Sequence, residues 1–154
     1  MDGSQRQQLL AQYKDGYREV MEALAAITEA ALDARPIAGQ WTAREVVHHL
    51  ADSEMTSAIR LRRLLAEEQP SIQTYDEEAF ARHLHYDRPI AASLDLLRAA
   101  RQTTADILDR LSEAEWAREG THKEVGRYSV DVWLKIYAAH GHDHAQQIRH
   151  TRDG

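Results

Sequence analysis

Over almost its whole length the chain spaces apolar residues three and four apart, and only seven glycines and three prolines interrupt that rhythm. No segment sustains the apolar-polar alternation of a half-buried strand, so the pattern calls for an all-α fold with at most a small hairpin. A first helix is expected from about Ser4 to Leu32, with a core stripe through Leu9, Tyr13, Tyr17, Val20 and Leu24, ended by "ARPIAGQ". The second opens on "WTAREV", where Thr42 and Glu45 form a capping box and Trp41 and Val46 a hydrophobic staple. It should run to about Glu68. Residues 69–88 are too long for a tight turn and leave room for one short helix at "DEEAFARHL"; such a connection permits a crossover between helices that are not antiparallel neighbours. Pro89 suits the first turn of a third helix reaching about Leu111 through Ile90, Leu94, Leu97, Ile107 and Leu108. After the polar stretch "SEAEWAREGTHKEVGRY", with a hairpin placed between Glu119 and Tyr128, a fourth helix covers about Ser129 to His150. Four long amphipathic helices in one 154-residue domain give a four-helix bundle, large enough to bury a core without staples.

The absence of cysteine removes disulfides, Cys-containing zinc sites and a cysteine nucleophile, so any thiol in the chemistry must arrive with a substrate. A formal charge of -6 argues against nucleic acid as a partner, since phosphate-backbone binding needs a basic face. "MDGSQRQQLL" lacks a basic stretch followed by an apolar run, and no stretch approaches a membrane span. A cytoplasmic enzyme or small-molecule-binding protein is the expectation.

The histidines narrow it further. "AAHGHDHAQQIRH" carries His140, His142, His144 and His150, four of the nine in the chain. At about 100° per residue His140 and His144 share a face with Trp133, Ile136, Tyr137 and Ile148, the stripe that must turn inward. His142 falls among Lys135, Ala138, Ala139, Ala145, Gln146 and Arg149, a set that reads as solvent-facing, with His150 near it. Two inward imidazoles at i and i+4 can be hydrogen-bonded core residues, can line a partly wet pocket without any metal, or can be two metal ligands; HxxxH without an accompanying Glu is a weak motif, and a third ligand would strengthen the metal reading. It is offered by "VVHHLADSE", where His48 and His49 flank the apolar stripe of the second helix. Periodicity does not choose between them, although His49 shares its flank with Ser53, Thr56 and Arg60, a polar strip suited to a pocket. His83, His85 and His122, in connections, are expected to be solvated.

The combination "GQWTAREVVHHLADSE", "PSIQTYDEEAF" and "YAAHGHDHAQQI" resembles the DinB-like superfamily of helical bundles, and within it the YfiT type, described as metal-dependent hydrolases and bacillithiol transferases. The likeness runs from about Pro36 to Ile148. It implies a bundle of up-down-down-up order, often homodimeric, and a divalent metal held by His49, His140 and His144, the histidine directly before the leucine of "HHL" together with the HxxxH pair.

Three neutral imidazoles suit zinc, nickel or iron, with zinc or nickel the expected metal, and three protein ligands leave a coordination position open, as in catalytic sites. Water or a thiol held there would lose its proton near neutral pH. The inward HxxxH has no adjacent Glu to serve as base, which favours transfer of a low-molecular-weight, bacillithiol-like thiol to an electrophile over metal-dependent hydrolysis; a non-catalytic metal-binding bundle is the third reading. Asp52 is placed to orient His49, and Arg60, on the same flank, to contact an anionic thiol cofactor.

Overall fold

The computed structural model describes residues 1–154. Its four long helices are α1 (Gly3–Leu24), α3 (Ala43–Ala66), α5 (Ala91–Leu108) and α7 (Val130–Asp153); three short ones, α2 (Glu29–Leu32), α4 (Glu77–His83) and α6 (Glu113–Trp116), sit in the connections. Caps explain most starts. Asp2, Thr42 and Ser112 each close a capping box, and Ser129 accepts from the Val132 N–H to begin α7. No helix is long and apolar enough to cross a membrane.

The side-chain ties fix the helix directions. Contacts between α1 and α7 advance together along both helices (Met1 with Asp131, Gln12 with His142, Glu19 with Arg149, Ala23 with Arg152), so these two are parallel. So are α3 and α5, through His48 with Ser93, Glu54 with Arg101 and Arg62 with Thr104. In contrast α3 and α7 run antiparallel, Ser57 meeting Trp133 while His49 meets His144. The order is therefore up-down-down-up, and the parallel α3–α5 neighbours are what the long connection at 67–90 makes possible. Each of α1 and α3 packs on both α5 and α7, so these consecutive long helices stand diagonally across the bundle.

Several expectations need correction. The first helix stops eight residues early: Ala26 takes a left-handed φ of 57° and Thr28 caps a new short helix through the Ala31 N–H, so the apolar rhythm continues while the backbone turns. Pro89 is not in the first turn of α5, which begins at Ala91 behind an Ile90 without a side-chain cap. The hairpin, β2 (Glu119–His122) with β3 (Gly126–Ser129), turns at Gly126 with φ +75°, but a two-residue strand β1 (Ser71–Ile72) also pairs parallel to β2. Gly120 permits that approach, because a Cβ there would collide with the Pro70 carbonyl that accepts the Thr121 N–H.

The face of α7 read as solvent-exposed is the one that meets α1. Ala138 and Ala145 are fully buried, and a Cβ on Gly141 would stand 3.1 Å from the Gly16 Cα, so the two helices touch backbone to backbone. Conversely Ile136, assigned to the inward stripe, is 44% exposed.

Candidate metal centre

The Thr42 capping box fixes the phase of α3 and carries His49, about two turns on, into the bundle opposite His140 and His144 of α7. The rings of His140 and His144 lie 4.5 Å apart between centroids, and His49 sits 4.7 Å from His144 and 5.4 Å from His140. Each offers a nitrogen within 4.8 Å of the others'. The Nε2 atoms of His140 and His144 are 3.1 Å apart. His144 Nδ1 donates to Gln147 Oε1 at 2.7 Å, which leaves its Nε2 lone pair facing the cluster. Trp41 leans on the His49 ring at 4.7 Å and screens it.

Burial disfavours the charged imidazole, pushing His140 down to about 2 and His49 to about 3, with the neighbouring rings adding to the effect; His144 is lowered by burial too, although Gln147 opposes this. All three are therefore neutral donors at neutral pH. His49 Nδ1 and His140 Nδ1 are buried without any hydrogen-bond partner, an arrangement costly to a fold unless something else uses the rings. Three converging neutral nitrogens, two rings with unused nitrogens and no carboxylate among them fit a divalent cation of borderline softness.

His48, the alternative in the sequence, points elsewhere. Its Nε2 donates to the Arg88 carbonyl at 2.8 Å, and its Nδ1 accepts from Ser93 Oγ at 2.7 Å, so both nitrogens are spent on tying α3 to the end of the crossover and to α5. Asp52 does not orient His49: it is buried and accepts a 2.6 Å hydrogen bond from Tyr86 Oη, pinning the crossover to α3. His142 is half-buried rather than exposed, its Nε2 donating to the Gln12 carbonyl at 3.0 Å, because the small residues around it bring α1 close. His83, His85 and His150 are exposed, as expected.

A cavity of about 270 Å³ adjoins the cluster through His140. Arg60 lines it, donating from Nη1 to Tyr137 Oη at 3.0 Å and from Nη2 to the Gln73 carbonyl at 2.7 Å, with Nε buried and unpartnered. The remaining walls include Ser53, Tyr75, Glu77, His122, Glu124 and Tyr128. His122, expected to be solvated, is buried; it stacks on Tyr128 at 5.4 Å and its Nδ1 accepts the Glu124 N–H. Tyr75, Tyr128 and Glu77 went unnoticed in the sequence because they come from the crossover and the hairpin, whose placement against α7 no helical period encodes. The Glu77 carboxyl is raised above the ordinary range, first by desolvation and then by Glu78, although its side chain reaches the exposed rim.

The family model of the DinB superfamily matches residues 12–148. A protein of Oceanobacillus iheyensis is 40% identical over 117 residues, which are 76% of this chain and 68% of that one; a Bacillus cereus protein is 31% identical over 143 residues, 93% and 83% respectively. Both are named "putative metal-dependent hydrolase". Among solved structures, YfiT from Bacillus subtilis superposes with a TM-score of 0.92 at 28% identity, over 99% of this chain and 89% of its own, and is described as "a probable metal-dependent hydrolase with an unusual four-helix bundle topology".

Proposed function

This chain belongs to the DinB superfamily, and from that premise we propose that it is a metal-dependent enzyme in which His49, His140 and His144 hold one divalent cation, zinc or nickel, and the adjoining cavity takes a small-molecule substrate. The observation that carries the proposal is the convergence of three neutral imidazoles, each offering a nitrogen within 4.8 Å of the others', with no carboxylate among them. Gln147 orients His144, Trp41 shields His49 from water, and the bundle holds all three rings on two rigid helices. A cation bound there would supply Lewis acidity and lower the pKa of an oxygen or sulfur nucleophile beside it.

Hydrolysis is the leading reaction. The names of the relatives support it, and the missing Glu beside HxxxH no longer counts against it, because Glu77 and Glu124 reach the same cavity from outside α7. The raised carboxyl of Glu77 suits a group that takes up a proton near the reacting atoms. Thiol transfer is the second reading, favoured by the histidine pattern's resemblance to bacillithiol transferases; in a chain without cysteine the thiol would be a cosubstrate.

Elemental analysis of the purified protein should find about one zinc or nickel per chain, and His49→Ala, His140→Ala or His144→Ala should each lose it and the turnover with it. Mass spectrometry of products with and without added thiol then separates the readings. A water adduct formed equally in both supports hydrolysis; a product that requires thiol supports transfer. Metal-free protein with unimpaired turnover would end the proposal.

A further inference from the structure

Of the seven buried side-chain polar atoms without a hydrogen-bond partner, two are the Nδ1 atoms of the histidine cluster, and three more belong to cavity-lining residues: Arg60 Nε, Tyr75 Oη and Tyr128 Oη. Tyr128 Oη leans toward Tyr137 and Arg60 without a well-formed bond to either, and Tyr75 Oη toward Ser53. Around this point are therefore one guanidinium and three phenols, all hydrogen-bond donors. No carboxylate forms an ion pair with Arg60; its partners are Tyr137 Oη and a main-chain carbonyl. Buried donors cost free energy when left unmatched, so a surplus of them marks a place for an acceptor. The guanidinium geometry says which kind. Nε and Nη2 form the side-on fork that matches two oxygens of one carboxylate; Nε is free, and Nη2 holds only the Gln73 carbonyl, in the irregular stretch between β1 and α4.

We propose that Arg60, Tyr75 and Tyr128 form a carboxylate subsite that anchors one end of the substrate, directing its reacting end toward the histidine cluster. The proposal rests on the reading that the cavity beside the histidines is the substrate site. Glu77 and Glu124 on the same walls oppose a doubly charged phosphate and so favour the singly charged carboxylate.

The test titrates butyrate, its neutral counterpart butyramide, and inorganic phosphate into the isotope-labelled full chain, both metal-free and zinc-loaded. The readout is the Arg60 Nε–H resonance and the dissociation constant. Butyrate should bind saturably in both forms and shift that resonance, phosphate should bind more weakly, and butyramide should not bind. Arg60→Gln should weaken butyrate binding roughly 10- to 100-fold and Tyr128→Phe roughly 2- to 10-fold. Zinc affinity, read separately, should be unchanged in Tyr128→Phe, which also serves should Arg60→Gln fail to fold. Zinc binding without butyrate binding overturns the subsite and leaves the metal proposal standing; butyrate binding without zinc binding does the reverse. Undiminished butyrate binding in Tyr128→Phe and Arg60→Gln, or tighter binding of phosphate, overturns the assignment.

Discussion

Two polar clusters lie inside the same bundle little more than a turn apart along α7, and they are built on opposite terms. Beside Tyr137, Glu54 is 1% exposed and accepts from Tyr13 Oη at 2.6 Å and from Arg101 Nη1 at 2.8 Å. Arg101 gives its other donors to the Tyr13 carbonyl and, at 3.3 Å, the Tyr137 carbonyl, and lies over the Tyr13 ring. Neither the Glu54 carboxylate nor the Arg101 guanidinium leaves a buried polar atom unmatched. In the histidine cluster a buried nitrogen on His49 and another on His140 stay unused. A closed network holds helices together, and an unfinished one is shaped for something outside the chain. The same contrast separates the adjacent residues His48 and His49, the first fully bonded and the second not.

The sharpest way to break the comparison is to remove one member from each side. Glu54→Ala strands a buried guanidinium and a phenol, and should cost about 3–5 kcal/mol, read as a fall in the urea midpoint. His140→Ala, in metal-free protein, removes an unmatched Nδ1 and a single neutral contact between its Nε2 and that of His144, and should cost less. If the His140 variant proves the more damaging, the clusters have been assigned the wrong way round.

These two clusters also show what a sequence can and cannot reveal. The inward HxxxH pair was legible, because a helix of known phase puts i and i+4 on one side, and so was the start of α3, because Thr42 and Glu45 satisfy each other locally. Periodicity left open whether His48 or His49 joins the pair, since both flank the apolar stripe and the choice depends on the rotation of α3 against two neighbours; the family resemblance pointed to His49. Nor was the buried Glu54–Arg101 pair visible, because its members are 47 residues apart and each looks like an ordinary helix-surface charge. The α1–α7 contact was hidden for a different reason: Gly16 and Gly141 contribute closeness rather than hydrophobic area. Asp52 illustrates the limit for site residues, having been placed near its histidine correctly in sequence while its actual partner, Tyr86, enters from the crossover.

A second test uses acid. In the unfolded chain the imidazoles titrate near about 6.5, whereas the fold holds His49 down to about 3 and His140 to about 2. Above about pH 6.5 neither state binds the proton and these groups contribute nothing to the pH dependence. Below it the unfolded chain takes up protons that the folded one refuses, so metal-free protein should lose up to about 1.4 kcal/mol per pH unit for each such histidine, continuing down toward the folded values. Urea midpoints at pH 7 and pH 5 check this. The double variant His49→Ala/His140→Ala should show a shallower fall than the wild type, with the remaining slope including His48 and His144, both also lowered by burial. Superimposable profiles would mean that the cluster is hydrated in solution.

The smallest expected effect belongs to His142, which shares the histidine-rich segment of α7 but neither cluster. Its Nε2 bond to the Gln12 carbonyl crosses the parallel α1–α7 contact at a half-buried position, so His142→Ala should cost about 0.5–1.5 kcal/mol of stability, the ordinary net value of one such bond. Metal content and turnover should stay near wild type, because the helical period turns this ring about 200° away from His140. The two readouts must be taken on the same preparation. Loss of stability with metal retained assigns His142 to the helix contact; loss of metal with stability retained would place it with His140 and His144, and the division of α7 into a binding face and a packing face would fail.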